Sequence, residues 1–201
     1  TLDRSSAASD VYKRQLQILA GPGSGKTRVL TSRVAHLVRD SAAPIAPERC
    51  VVVTFTNRAA NEMRARLETM IGADRTRRLV LGTFHAVCVR FLRRWGTRLG
   101  LDPRFTIADT DDARRLLRDV DRDAPVDATL AAISRAKAHG WTPDELRASA
   151  QHAPGSPAHT EHLALCRTYA AYQQQLRTSH ALDFDDLLLL GCLLYTSDAA
   201  D

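Results

Sequence analysis

Residues 20–27 read AGPGSGKT, a run of glycines and one lysine that suits a phosphate-binding loop. A Gly-x-x-x-x-Gly-Lys-Ser/Thr loop between a strand and a helix lets successive backbone N–H groups surround phosphates. The lysine reaches the β and γ oxygens and the Ser/Thr hydroxyl holds Mg²⁺. Ala20 stands where that pattern has its first glycine, which is a small departure. The predicted nucleotide contacts are Ala20, Gly21, Pro22, Gly23, Ser24, Gly25, Lys26, Thr27 and Arg28. Lys26 and Thr27 are the predicted catalytic residues, and Thr27 is the predicted Mg²⁺ ligand.

A second set of residues follows two predicted strand ends, in VVVTFTN and LGTFH. An aromatic ring at such a position can stack on a nucleobase while hydroxyl, amide and arginine neighbours bind phosphates. Taken singly, either phenylalanine also suits a hydrophobic core, and the histidine suits an ordinary loop position. The predicted nucleic-acid contacts are Thr54, Phe55, Thr56, Asn57, Arg58, Thr83, Phe84 and His85.

The elements that must position these residues alternate between short apolar runs and amphipathic helices, a pattern typical of an α/β fold. LQILA is predicted as a buried strand before the glycine loop, and CVVVTF and LVLGTF as the next two strands. Between them, the apolar spacing predicts one helix from Thr27 to the SAAPIAP segment and a second whose buried face carries Ala60, Met63, Leu67 and Met70. From Asp102 onward the chain is predicted to be helical.

Charge and cysteine content favour a nucleic-acid partner and a reducing environment. The formal net charge is +5, and residues 58–98 hold ten arginines against three acidic residues. Solvated helix faces would explain those arginines equally well. The cysteines are scattered without a Cys-x-x-Cys pair, which favours reduced intracellular thiols. No apolar run reaches the length of a membrane span.

The two ends of the chain read as one DNA segment and its complement. Residues 5–15, SSAASDVYKRQ, back-translate to DNA whose reverse complement, read one base in, encodes residues 192–201, CLLYTSDAAD. We therefore expect residues 1–15 and 192–201 to be adapter-derived tails and not native sequence. Residues 16–191 are then expected to be a piece of a longer protein.

Four ordered stretches, AGPGSGKTRVLTSRVAHL, VVVTFTNRAANEMRARL, GTFHAVCVRFLRR and LDFDDLL, resemble the amino-terminal part of the UvrD/Rep/PcrA family of superfamily-one DNA helicases. The resemblance implies a RecA-like P-loop NTPase domain with an incomplete parallel sheet over residues 16–105. It implies an all-helical insertion subdomain over 106–182 and a return to the first domain over 183–191. It also implies ATP and Mg²⁺ as cofactors, 3′-to-5′ movement on single-stranded DNA, action at single-strand/duplex junctions, and Phe55 as the base platform.

Family members also have parts that these residues do not supply: a glutamine that reads adenine, an Asp-Glu pair that completes the Mg²⁺ site, and arginine fingers on a second RecA-like domain. The resemblance therefore implies that the fragment binds ATP but does not turn it over. Asp183, Asp185 and Asp186 could be mistaken for the missing pair, but acidic residues also suit the first turn of a helix, which is the role we predict for them.

Three alternatives stay open at this stage. A motor subunit of a helicase–nuclease would share these motifs, a small-molecule P-loop phosphotransferase would share the loop, and the fragment alone could be a non-enzymatic binding module. For a helicase, the expected location is the bacterial cytoplasm or the eukaryotic nucleus. Basic residues of the helical segment are compatible with a duplex contact, namely Arg114, Arg115, Arg118, Arg135 and Lys137. The oligomeric state has no sequence signal.

Overall fold

A computed structural model describes residues 17–19, 21, 23–150 and 155–197, with side chains described as far as residue 194. Residues 1–16, Ala20, Pro22 and residues 198–201 lie outside the described part, so most of the predicted tails and two of the predicted loop contacts are not described. The chain forms two compact units. The first comprises the residues up to Val52 with Arg58–Val80, and the second comprises Val53–Asn57 with the residues from Leu81 onward.

The first part of the chain alternates helices and strands as predicted from the apolar spacing. Helix α1 passes directly into a π-helical segment, His36–Asp40, and strands β1 and β2 pair in a two-stranded sheet. The elements are α1 (Lys26–Ala35), β1 (Val51–Thr54), α2 (Asn57–Ile71), α3 (Ala73–Arg78) and β2 (Val80–Thr83). The two later predicted strands and both predicted helices are therefore confirmed.

The predicted apolar face of α2 is buried in the first unit. Ala60, Met63 and Leu67 are buried at the three-and-four spacing of one helix face, as expected for an amphipathic helix. Met70 is half-buried, and Ile71 beside it is buried. The prediction is confirmed for the face as a whole, with Ile71 completing the buried row.

The prediction of a strand before the glycine loop is wrong for residues 17–19, the part of that run that the structure describes. Residues 17–19 have no regular secondary structure, and Leu19 is 85% exposed. A strand needs a neighbouring strand to satisfy its backbone hydrogen bonds, and the described sheets contain only β1 with β2 and two later strands. The apolar run therefore lacks a partner to pair with.

The second unit is mostly helical after β2. Its helices are α4 (Phe84–Trp95), α5 (Thr110–Val120), α6 (Val126–Ala138), α7 (Pro143–Ala148), α8 (Pro157–Thr178) and α9 (Phe184–Ser197). Two short strands interrupt them, β3 (Thr106–Ile107) and β4 (Ala181–Leu182), which pair in parallel with Thr106 opposite Ala181. The prediction of helix alone from Asp102 onward misses this pairing. The pairing brings together the two ends of residues 106–182, which we call the helical segment.

Two cores hold the second unit together. The helical segment packs around fully buried side chains that include Leu117, Tyr172 and Leu176. A separate core between α4 and α9 contains Leu92 and Leu187. Helix α9 approaches α4 closely at Gly191, where an added Cβ would lie 2.7 Å from the Cys88 Sγ atom. The absence of a side chain at Gly191 therefore sets how closely α9 packs on α4.

Candidate nucleotide and nucleic-acid interfaces

Two glycines of the loop adopt backbone conformations that favour glycine. Gly23 and Gly25 have φ angles of 74° and 85°, a region that costs L-residues with a Cβ but is open to glycine. Gly25 is the N-cap of α1, and among the described residues no side chain caps that helix start and no acidic residue lies in its first turn. The start of α1 therefore presents backbone N–H groups and the positive end of the helix dipole to an anion.

The loop closes on the carbonyl oxygen of Gly21. The Lys26 ammonium donates to this oxygen at 2.6 Å, and the Ser24 hydroxyl also donates to it at 2.6 Å. All described loop residues are exposed, so a phosphate can approach, and it would compete with the Gly21 oxygen for the lysine. Thr27 and Arg28 lie exposed in the first turn of α1, while Ala20 and Pro22 lie outside the described residues.

The residues present fit a nucleotide with Mg²⁺. Magnesium prefers oxygen ligands and usually keeps several waters and phosphate oxygens, so a protein needs to supply only one or two ligands. The Thr27 hydroxyl, exposed beside the uncapped start of α1, is an oxygen donor of the right kind. Lys26 and the backbone N–H groups of the loop would hold the phosphates.

The two strand ends predicted to bind nucleic acid meet in the second unit. Phe55 directly follows β1 and Phe84 directly follows β2, and their ring centroids lie 5.6 Å apart with the planes tilted by 53°. Phe55 is 91% exposed and Phe84 is 46% exposed. A core role for either ring, one of the alternatives left open by the sequence, is therefore wrong.

A second pair of rings, His85 with Phe184, begins at the residue after Phe84, and the sequence analysis missed Phe184. The two rings lie edge to face at a centroid distance of 5.5 Å and an interplanar angle of 80°, and Phe184 is 44% exposed. We call Phe55, Phe84, His85 and Phe184 the aromatic surface. Clustered exposed apolar side chains commonly mark binding sites, and planar rings are suited to stacking on nucleobases.

The polar residues of the two strand ends have different surroundings. Thr54 is buried and its hydroxyl donates to the carbonyl oxygen of Thr56 at 3.0 Å, so it shapes the turn that carries Phe55. Thr83 caps α4 by accepting from the Ala86 N–H at 3.3 Å. Thr56 and Asn57 are exposed. Arg58, also exposed, pairs with Glu62 at 3.1 Å, and such surface ion pairs are weak enough to exchange for a phosphate.

Positive charge continues along α4 from the aromatic surface. Arg90, Arg93 and Arg94 are exposed on this helix, and the Arg94 guanidinium lies 5.0 Å from the Trp95 ring centroid. Among the basic residues of the helical segment, Arg114 pairs with Asp127 at 2.9 Å and Arg115 with Asp112 at 3.4 Å. These partners already neutralise part of the charge that the sequence analysis assigned to a duplex contact.

Lys137 is not a surface residue, which corrects its place among the basic residues available to a duplex. It is 2% exposed, and its ammonium lies 2.6 Å from Asp183 Oδ2 and 2.8 Å from Asp186 Oδ1. Asp183 also caps α9, because the Asp186 N–H donates to its Oδ1 atom at 2.8 Å. Asp185 and Asp186 lie in the first turn of α9, so the predicted helix-start role of the three aspartates is confirmed.

The buried carboxylate of Asp186 has a shifted titration. Burial raises the pKa of Asp186 above its ordinary value, and the nearby Asp183 carboxylate raises it further. The Lys137 ammonium and the hydrogen bond from Gln173 act in the opposite direction. Burial also raises the pKa of the Tyr172 hydroxyl, which donates to Asp183 Oδ2 at 3.0 Å. These five groups form one polar cluster at the start of α9.

Comparison with known proteins identifies the family. The model of the UvrD/REP helicase N-terminal domain matches residues 3–200. The chain belongs to this family, which confirms the resemblance found in the sequence. The matched range includes most of both terminal segments, and their adapter origin stays a prediction.

Individual relatives are proteins described as ATP-dependent DNA helicase PcrA. The protein from Leuconostoc citreum is 40% identical over 97% of this chain, and that from Staphylococcus aureus is 38% identical over 94%. The chain spans about a quarter of the length of these relatives, 26% in both cases. In the part of the chain that the structure describes, no helix is both long and apolar enough to cross a membrane.

Proposed function

We propose that this chain is the nucleotide-binding and strand-binding part of an ATP-dependent DNA helicase that moves 3′ to 5′ on single-stranded DNA. The observation that carries the proposal is the aromatic surface, which consists of two ring pairs, Phe55 with Phe84 and His85 with Phe184, joined by the neighbouring residues Phe84 and His85. All three of its phenylalanines are exposed. Membership of the UvrD/REP family and the similarity to PcrA proteins support it.

Lys26, Thr27 and the loop N–H groups would hold the triphosphate of ATP. Mg²⁺, when bound, would neutralise phosphate charge beside Thr27. The open loop, with two glycines at positive φ and an uncapped helix start, supports this role. We propose that the chain binds ATP but does not turn it over by itself, because the family's Asp-Glu pair and arginine fingers would come from elsewhere in the whole protein.

The aromatic surface would bind the strand by stacking. Base–aromatic stacking contributes roughly 1–3 kcal/mol per base and tolerates any sequence, which suits a protein that must grip and release successive bases. Asn57 and the arginines of α4, which belong to the second unit, would attract the phosphates. In the whole protein, the nucleotide state would change the grip on the strand, and junctions of single strand and duplex would be the substrate.

A small-molecule phosphotransferase would use the same loop, but it has no use for an exposed aromatic surface flanked by arginines. Oligonucleotide binding distinguishes the two functions, because a helicase must bind a single strand and a metabolite kinase need not.

The test is the affinity of the chain for a fluorescein-labelled oligo-dT, measured by anisotropy. Phe55→Ala is expected to raise Kd by about fivefold or more, since one stacked base is lost. Lys26→Ala is expected to keep the strand affinity and to lose binding of a fluorescent ATP analogue. Trp141→Ala serves as the control, because Trp141 is a partly exposed aromatic residue elsewhere on the second unit. An unchanged Kd for Phe55→Ala would show that the surface does not bind the strand.

A further inference from the structure

Lys137 is a charged residue on the apolar face of its helix. On α6 it shares the buried face with Thr129, Ile133 and Ala136, a spacing that normally carries only core residues. Its ammonium bonds to the Asp183 and Asp186 carboxylates at 2.6 and 2.8 Å. A lysine in this position is costly to desolvate, and apolar replacements of buried ion pairs are often neutral or stabilising. The cluster is therefore poorly explained as a source of stability alone.

The two carboxylates that Lys137 binds lie on either side of Phe184 in the sequence. Asp183 precedes α9 and caps it, and Asp186 lies in its first turn. Helix α8 adds two further bonds, from the Tyr172 hydroxyl to Asp183 and from the Gln173 amide to Asp186. Two helices of the helical segment thus fix the direction of the first turn of α9 through directional polar contacts.

The exposed ring carried by that turn belongs to the aromatic surface. Phe184 is 44% exposed and its ring lies edge to face with that of His85, the residue after Phe84 at the start of α4. The two ion pairs of Lys137 restrain the turn that carries Phe184, since Asp183 and Asp186 flank it in the chain.

We propose that Lys137 is a positioning residue: by binding Asp183 and Asp186 it holds Phe184 against His85, and in this way the helical segment controls how the aromatic surface grips a single strand. The inference rests on the proposed function of that surface. Lys137 touches no strand itself, and its effect on binding passes entirely through Phe184.

The test is a double-mutant cycle on the full chain, read by oligo-dT anisotropy. Phe184→Ala and Lys137→Met are each expected to raise Kd by roughly fivefold, the loss of about one stacked base. The double variant is expected to bind no more weakly than Phe184→Ala alone, because Lys137 acts only through that ring. Arg167→Met, which removes an exposed cation from α8, is the matched control and is expected to bind as the unchanged chain does.

If Lys137→Met merely destabilised the chain, it would weaken binding whether or not the Phe184 ring is present. Dependence of its effect on Phe184 therefore distinguishes positioning from general destabilisation. Effects of Lys137→Met and Phe184→Ala that simply add, or an unchanged Kd in either single variant, would overturn the inference. If Lys137→Met does not fold at room temperature by circular dichroism, the same cycle is run with Tyr172→Phe, which removes only the hydroxyl that donates to Asp183. A loss of affinity that disappears in the Phe184→Ala background supports the inference, and an additive or absent loss contradicts it.

Phe55→Ala measured in parallel separates the two proposals. If Phe55→Ala leaves Kd unchanged, the strand-binding function itself is wrong. If Phe55→Ala weakens binding but Lys137→Met does not, the function stands and only the role of Lys137 is wrong.

Discussion

At the scale of single residues, two carboxylates are buried at the start of α9, beside the aromatic surface. Asp183 is 8% exposed and Asp186 is 2% exposed, and the Lys137 ammonium binds both. Burial disfavours the charged form of Asp186 and is the main reason that its pKa is raised, and the neighbouring Asp183 carboxylate raises it further. The fold accepts this cost at the turn that carries Phe184.

This raised pKa predicts a pH dependence for Asp186→Asn. The folded chain binds the proton more tightly than the unfolded chain, so the contribution of Asp186 to stability is complete below its ordinary pKa of 3.8 and is lost as pH rises through the folded value. We expect the free energy of unfolding of the unchanged chain, relative to that of Asp186→Asn, to rise as pH falls from about 7 to about 4, because the pKa of Asp186 in the folded chain lies above 3.8. Urea unfolding at the two pH values measures the difference.

Other titratable groups lie close to Asp186 and also influence the pH dependence of stability. Lys137 and Asp183 contact Asp186 directly, and the Tyr172 hydroxyl contacts Asp183. Asp185→Asn is the matched control, since Asp185 lies in the same turn but is only half-buried. A stability difference for Asp186→Asn that stays constant over this range, or that grows with rising pH, would contradict the assigned titration.

Single residues also show where sequence analysis reached its limit. Phe55 and Phe84 could be selected because each follows a strand end next to threonine. Phe184 could not, because its stretch LDFDDLL is dominated by the acidic signal of a helix start, and its contact with His85 joins residues far apart in the chain. The burial of Lys137 could have been predicted, because its position fits the apolar spacing of α6. A lysine is nevertheless expected on the surface.

At the scale of secondary-structure elements, the packing of α9 on α4 sets the geometry of the aromatic surface. Phe84 and His85 begin α4, and Phe184 begins α9. The two helices share a core that contains several leucines, and they approach each other closely where Gly191 meets Cys88. A side chain at position 191 would therefore push the helices apart.

This close approach predicts that the effect of Gly191→Ala on stability depends on the residue at position 88. In a helix free of contacts, Gly→Ala stabilises by roughly 1 kcal/mol. Here the new Cβ would lie 2.7 Å from Cys88 Sγ, so we expect a net destabilisation, on the order of 1 kcal/mol from overpacking. In a Cys88→Ala background the sulfur is gone, and Gly191→Ala should cost little or stabilise. Thermal unfolding of the four chains measures the cycle, and equal effects in both backgrounds would show that the helices do not meet at these residues.

Secondary-structure elements could be predicted where apolar residues recur at a regular spacing within one short stretch of the chain. Helix α2, for example, was identified from a row of residues three and four apart. Strands β3 and β4 were not, because each has two residues and their pairing joins Thr106 to Ala181 across the whole helical segment. The apolar run at residues 17–19 shows the converse, since local composition favours a strand but no described strand lies beside it to pair.

At the scale of the whole molecule, the chain spans about a quarter of the length of its PcrA relatives, and its glycine loop and its aromatic surface belong to separate compact units. Arginine fingers in related phosphate chemistry contribute a thousandfold or more to turnover. We therefore expect this chain to bind ATP and to show no ATP hydrolysis above that of Lys26→Ala, with or without oligo-dT. Phosphate release measured at high protein concentration checks this, and hydrolysis that requires Lys26 would contradict it.

The most direct test of the central claim identifies which residues touch the strand. An oligo-dT in which some thymines are replaced by 5-iodouracil forms adducts with nearby aromatic side chains on irradiation, and mass spectrometry of the digested chain locates them. We expect adducts at Phe55, Phe84 or Phe184, which are lost on competition with unlabelled oligo-dT. Adducts confined to aromatic residues outside this surface, such as Trp95 or Trp141, would contradict it.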